Sequence, residues 1–292
     1  MSTPTESTES TDVSTTTVSN RTPSAWTILR SIIKRELSTV VVGRTYALMW
    51  IGLVGILLGI AWFGGGMQSG YVSTIIDLLT PLELLVPVVA FAFGYRAILD
   101  DERRGVLDVL RTYPVASWQV VAGVYIGRAI GIVVVISTAL SVLMYPIFLT
   151  EAHRPLFYAT HTGADSPGLF LRFIVLTTCF ALVMLAVAVA ISTLVGTART
   201  AIAVAGLALL GILFAADIAL VFGLSRGVIE EASLVNSLAI SPLSAYRGLV
   251  LETTVAVTAG TGPRTASPIA SAAGLAVWWL GSLLVATVSV RR

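Results

Sequence analysis

Long apolar stretches alternate along this chain with short segments that gather nearly all of its charge. A bilayer core of about 30 Å takes about 20 helical residues. Six stretches fit that measure: Thr45 to Phe63, Leu78 to Tyr95, Trp118 to Leu149, Leu169 to Leu194, Ala201 to Phe222 and Ile269 to Val290. The pattern predicts an all-α, polytopic membrane protein with six transmembrane helices. The third stretch is long enough to tilt or project, and Pro146 is expected to end or kink it. Ahead of the first span, Trp26, Leu29, Ile32, Ile33 and Leu37 share one helical face, while Thr27, Arg30, Ser31, Lys34 and Arg35 share another. This amphipathic pattern, opened by a Ser24 N-cap, predicts an interfacial helix over 25–38.

The ends and loops complete the plan. Residues 1–24 are rich in Ser and Thr and poor in large apolar side chains, so they read as a disordered cytoplasmic tail without the features of a signal peptide. Residues 25–292 form a six-helix transmembrane domain. Basic residues orient it: twelve Lys and Arg fall on the side of the two termini against five on the other, with Arg128 left inside the third span. Positive flanks resist translocation, so both termini and the segment 96–117 are expected in the cytoplasm of a multi-pass protein of the cell membrane. The outer loop 223–268 is apolar enough for short helices, but Glu230, Glu231, Pro242, Arg247 and Glu252 interrupt it too often for a seventh span.

Composition agrees, with 56% hydrophobic and 12% charged residues, and a formal net charge of +2 gives no reason to expect nucleic acid as a partner. Chemistry is sparse. A phosphate-binding GxxxxGK[ST] loop needs a lysine after a glycine, and the sole lysine, Lys34, follows Ile33. Cys179 stands alone, and His153 and His161 in the second outer loop have no zinc-motif spacing. No metal site and no resident cofactor are expected. An intramembrane enzyme, either a lipid transferase built on Asp100, Asp101 and Glu102 or a protease built on Glu230 and Glu231, lacks the second acidic cluster or the intramembrane histidine it would need. A non-transporting membrane anchor of a larger assembly is a further alternative.

Intramembrane polar groups are costly unless paired or wet, which singles out Glu83, Arg128 and Asp217. Glu83 is expected near the outer end of span two. Arg128, about ten residues into span three, is expected to snorkel toward cytoplasmic headgroups or to pair with an acid. Gly123, Gly127 and Gly131 recur every four residues, as do Gly55 and Gly59, which lets another helix approach closely within a protomer or across a dimer. Between spans two and three, Asp100, Asp101 and Glu102 open a segment continued by Arg103, Arg104, Val106, Leu107, Val109, Leu110 and Arg111 and stopped at Pro114. Acids first and a base last complement a helix dipole, so a short cytoplasmic helix with charges free to meet another protein is expected.

At these residues the chain resembles the exporter-like class of ABC transporter permeases that includes the NosY-type subunits. The match runs through Glu102, Gly105, Leu107, Leu110, Pro114, Val115 and Gly123, then through Pro242, Ala245, Tyr246, Arg247 and Leu249 in the last outer loop. Val124 stands where a lysine is usual, with Arg128 one turn later, and Ser241 where an asparagine is usual. The resemblance implies a transporter permease that moves an unidentified substrate, outward, through a dimer interface. It implies a coupling helix formed by Asp101, Glu102, Arg103, Gly105, Leu107, Leu110 and Pro114 against a separate ABC ATPase, with ATP and Mg on that partner. A second permease copy, as homodimer or heterodimer, completes the expected assembly in the lipid bilayer.

Overall fold

A computed structural model describes residues 25–103, 105, 116–151, 165–227, 238–259 and 266–290, without the side chains of a few of them, Asp217 included. Among the described residues every regular element is helical. The chain opens with α1 (Ala25–Val42) and α2 (Arg44–Phe63), separated by Gly43 in extended backbone. A one-turn helix, α3 (Gly66–Ser69), crosses to α4 (Tyr71–Gly94), and α5 (Leu99–Arg103) follows a tight turn. Then come α6 (Ser117–Glu151), α7 (Pro167–Leu194) and α8 (Ala198–Leu210). A π turn, Gly211–Ala215, carries α8 into α9 (Ala216–Ser225). A 3₁₀ turn, Leu238–Ile240, leads to α10 (Pro242–Val250), the π turn Leu251–Val255, α11 (Ala256–Ala259) and α12 (Pro268–Val290).

Six helical stretches are long and apolar enough to span a membrane, and they are the six expected from the sequence. The bundle is centred on α7: its most apolar window is 72% buried, against 17% for the windows of the first, fifth and sixth spans. α7 packs against α4, α6 and α12, and its buried side includes Phe170, Phe173, Phe180 and Met184. Apolar burial does not drive helices together in lipid, so close contact of small residues and polar bonds must position them. A Cβ built on Gly94 of α4 would lie 2.5 Å from Ala188 Cβ of α7, and one on Gly274 of α12 would lie 2.1 Å from the Ala239 carbonyl oxygen. Across the bundle, Trp279 donates to the Tyr125 hydroxyl at 2.7 Å and Tyr125 donates to the Leu182 carbonyl at 3.1 Å.

Several boundaries differ from the hydropathy reading, each for a local reason. Span two begins at Tyr71 rather than Leu78, because the carboxylate of Asp165, distant in sequence, accepts the free amides of Tyr71 and Val72 at 3.0 Å each. Span five begins at Ala198 rather than Ala201, since Thr197 and Thr200 form a reciprocal capping box, and its helix continues through the π turn to Ser225. Pro146 does not end the third span, which runs on to Glu151. The first helix extends to Val42, past the expected end at residue 38. Between the first two spans, the Gly-rich stretch Gly64 to Gly70 holds α3. The tail 1–24, with Ser24, and both outer-loop histidines lie outside the described residues.

Candidate functional site

The segment after α4 is built from its backbone outward. α4 ends at Gly94, and the chain turns through Tyr95 to Ile98 into the five residues of α5. Gly105 then adopts φ +69°, a conformation open mainly to glycine, and donates its amide to the Glu102 carbonyl at 3.0 Å. The Glu-x-x-Gly spacing therefore closes a helix and leaves the Glu102 side chain outward. Glu102 and Arg103 are exposed, whereas Asp101 is buried. Leu107, Leu110 and Pro114 lie outside the described residues.

Asp101 faces α1. Its Oδ2 accepts from Arg35 Nη2 at 2.5 Å, and the same nitrogen donates to Glu36 Oε1 at 2.8 Å. Burial opposes the charge on Arg35, but the bonds and fields of Asp101 and Glu36 outweigh it and hold the guanidinium more firmly protonated than usual. Glu36 is buried, and its Oε2 accepts from Arg128 Nε on α6 at 3.1 Å. Arg128 thus pairs with an acid rather than snorkelling. It also donates from Nη1 to the Phe93 carbonyl and from Nη2 to the Ala97 carbonyl at 3.5 Å. Room for this contact comes from glycine: a Cβ on Gly127 would be 2.5 Å from Glu36 Cβ, and one on Gly123 would be 2.7 Å from Ile32 Cγ2. These two glycines seat α1 inside the protomer, and Gly131 is buried on the same helix. By contrast, Gly55 and Gly59 of α2 meet no other atom within 4 Å of a built Cβ.

The second matched segment, in the last outer loop, forms α10. Ser241 is its N-cap, accepting the Ser244 amide at 3.3 Å, and Pro242 occupies the first turn, where its missing N–H costs nothing. Serine in place of the usual asparagine keeps the same capping chemistry. Tyr246 is fully buried; its ring stacks on Phe180 of α7 with centroids 4.5 Å apart, and its hydroxyl lies 2.9 Å from Thr177 Oγ1. Burial pushes the Tyr246 phenol far above its ordinary value, with the Glu83 charge adding to the rise and the Thr177 bond opposing it. Next to it, Arg247 donates from Nε to Glu83 Oε1 at 2.6 Å and from Nη2 to Glu83 Oε2. Because α4 starts at Tyr71, Glu83 does not sit near the outer end of span two as expected. It is twelve positions into α4, buried, and bonded to α10. Asp217 lies in α9, directly after the π turn.

Three groups that the sequence reading passed over complete these contacts. Glu36 was detectable as a carboxylate interrupting the apolar stripe through Leu29 and Ile32. Ser192 of α7 accepts the amides of Ile98 and Leu99 at 2.7 and 3.2 Å, and Thr177 meets Tyr246. Neither hydroxyl carries a signal in an apolar helix.

At α5 and at α10 a carboxylate that is largely buried thus pairs with a part-exposed arginine from another helix. Residues 3–291 fit the sequence pattern of the ABC-2 family transporter proteins. The chain belongs to that family. It is similar to the probable ABC transporter permease protein NosY of Pseudomonas aeruginosa, with 29% identity over 287 residues, 92% of this chain and 98% of the relative. A protein of the same description from Stutzerimonas stutzeri is 30% identical over 105 residues, 34% of this chain and 38% of that one. This ABC-2 family member is therefore a multi-pass membrane permease subunit of an ABC transporter, a transport component rather than an enzyme.

Proposed function

We propose that this permease exports its substrate, using ATP and Mg held by a separate ATPase subunit that docks on α5. The observation that carries the reading is the split between neighbours: Asp101 is buried against Arg35 while Glu102 and Arg103 stand exposed on the same short helix. One side of α5 is fixed to the permease, and the other offers charge to a partner. The basic-residue asymmetry supports placing both termini and residues 96–117 in the cytoplasm, where such an ATPase would be. Pairing with a second permease copy is supported by the low burial of the first, fifth and sixth spans and by the open glycine face of α2. Outward direction rests on the exporter-like resemblance alone.

The test is Glu102→Ala in a complex purified with its ATPase. Loss of a docking carboxylate should leave insertion and thermal stability unchanged while ATPase association or nucleotide response falls. A helix-terminal role alone would instead lower stability by about 0.5–2 kcal/mol with the response per complex intact, and that result would refute the docking role.

A further inference from the structure

Displacement of α5 reaches α4 through the turn Tyr95–Ile98, beside the contact that Asp101 makes with Arg35 of α1. A turn between two helices is ordinarily a soft joint, because the last carbonyls of one and the first amides of the next lack intrahelical partners. Here both sides of the joint are closed by side chains from other spans. Arg128 of α6 takes the carbonyls of Phe93 and Ala97, and Ser192 of α7, fully buried, takes the amides of Ile98 and Leu99. Glu36 aims the Arg128 guanidinium through its Nε, and the absent side chain at Gly127 lets Glu36 reach it. Close contact at Gly94 and Ala188 holds α4 on α7 just above the joint.

Resting on the reading of α5 as the docking helix, we infer that Arg128, aimed by Glu36, and Ser192 are positioning residues that make the α4–α5 joint a strut. Movement imposed on α5 then carries α6 and α7 with α4 instead of bending the turn between them. Simple neutralisation of a buried charge would not need this geometry. A lysine could pair with Glu36, but its point-like ammonium cannot also span two carbonyls four residues apart, which the planar fork of arginine does.

The experiment uses the full chain co-purified with its ATPase in lipid nanodiscs. Ile240→Cys, an exposed position beside α10, serves as reporter in a Cys179→Ala background. Maleimide labelling is compared without nucleotide and after trapping with ATP and vanadate, alongside thermal stability and ATP hydrolysis. Arg128→Lys and Ser192→Ala should each shrink the nucleotide-dependent change in labelling, about 2- to 30-fold, the range for residues along a coupled network, while ATPase remains bound. A full labelling response in folded complexes of both variants overturns the strut, even where stability drops. Should Arg128→Lys fail to assemble, Ser192→Ala, which removes one hydroxyl, decides alone. Wild-type chain that binds no ATPase, or shows no response to nucleotide, defeats the docking reading itself and the strut with it.

Discussion

Truncating Arg247 should damage this protein more than truncating its partner Glu83. The reason is an asymmetry of exposure: the Glu83 side chain is 5% exposed and that of Arg247 44%. Arg247→Ala strands a carboxylate among α4, α7 and α10, and breaking a buried pair in that way costs about 3–5 kcal/mol. Glu83→Ala leaves a guanidinium that already reaches outward and can turn to water or headgroups. The loss is then the charge-assisted bonds alone, about 1.5–3 kcal/mol before discount, and about 1–1.5 kcal/mol once exposure is allowed for. The two variants should therefore differ by about 1.5–4 kcal/mol, which at about 2–4 °C per kcal/mol is about 3–16 °C in midpoint, with Arg247→Ala the lower. The assay is the temperature at which half of the purified protein stays monodisperse in mild detergent. The double alanine variant should be no less stable than Arg247→Ala, since it removes the orphaned charge. Equal losses in the two single variants, or a greater loss in Glu83→Ala, would show that the pair is not buried as described.

Ser241→Ala should lower the same midpoint by the cost of a lost N-cap, about 1 kcal/mol, whereas Ser241→Asn should leave it unchanged because asparagine caps equally well; a harmless alanine would deny the cap. Tyr246 gives a pH signature. Its folded value is raised above the 10.0 of an unfolded tyrosine, so its contribution is complete below pH about 10 and lost as pH climbs, with a slope approaching 1.4 kcal/mol per pH unit. Tyr246→Phe should therefore flatten the decline in thermal midpoint between about pH 9 and about pH 11, and an unchanged decline would show that Tyr246 does not contribute to it.

Hydropathy located all six spans because a bilayer demands length and apolarity from each helix separately, and both are written locally. What it could not locate are ends and partners fixed by residues distant in sequence. The start of α4 depends on Asp165, and the depth of Glu83 changes with it. The glycines at 123 and 127 announced a close helix contact, but the identity of the intruding helix, α1, is a tertiary fact. Resemblance pointed to Glu102, Gly105 and Tyr246–Arg247 without giving their geometry. The αL turn at Gly105 and the fork onto Glu83 supply it. Hydroxyls such as Ser192 and Thr177 stayed illegible, because a serine or threonine in a span commonly bonds its own helix, as Thr178 does to the Ile174 carbonyl.

The two anchored segments share one helix. Glu83, the acceptor for Arg247, and Phe93, an acceptor for Arg128, lie ten residues apart on α4, about 15 Å along its axis. Sites more than about 7–10 Å apart without common partners add in stability to within about 0.5 kcal/mol. Arg247→Lys combined with Ser192→Ala should therefore lower the thermal midpoint by the sum of the single effects. The nucleotide response at residue 240 should behave differently. If displacement travels from α5 along α4 to α10, the two contacts act in series: either substitution removes most of the signal and the second removes little more. Independent parallel routes would instead make the losses add. Additive stability with a response that the second substitution barely lowers would identify α4 as the shared carrier to α10, and losses that add would show that α4 is not the shared carrier.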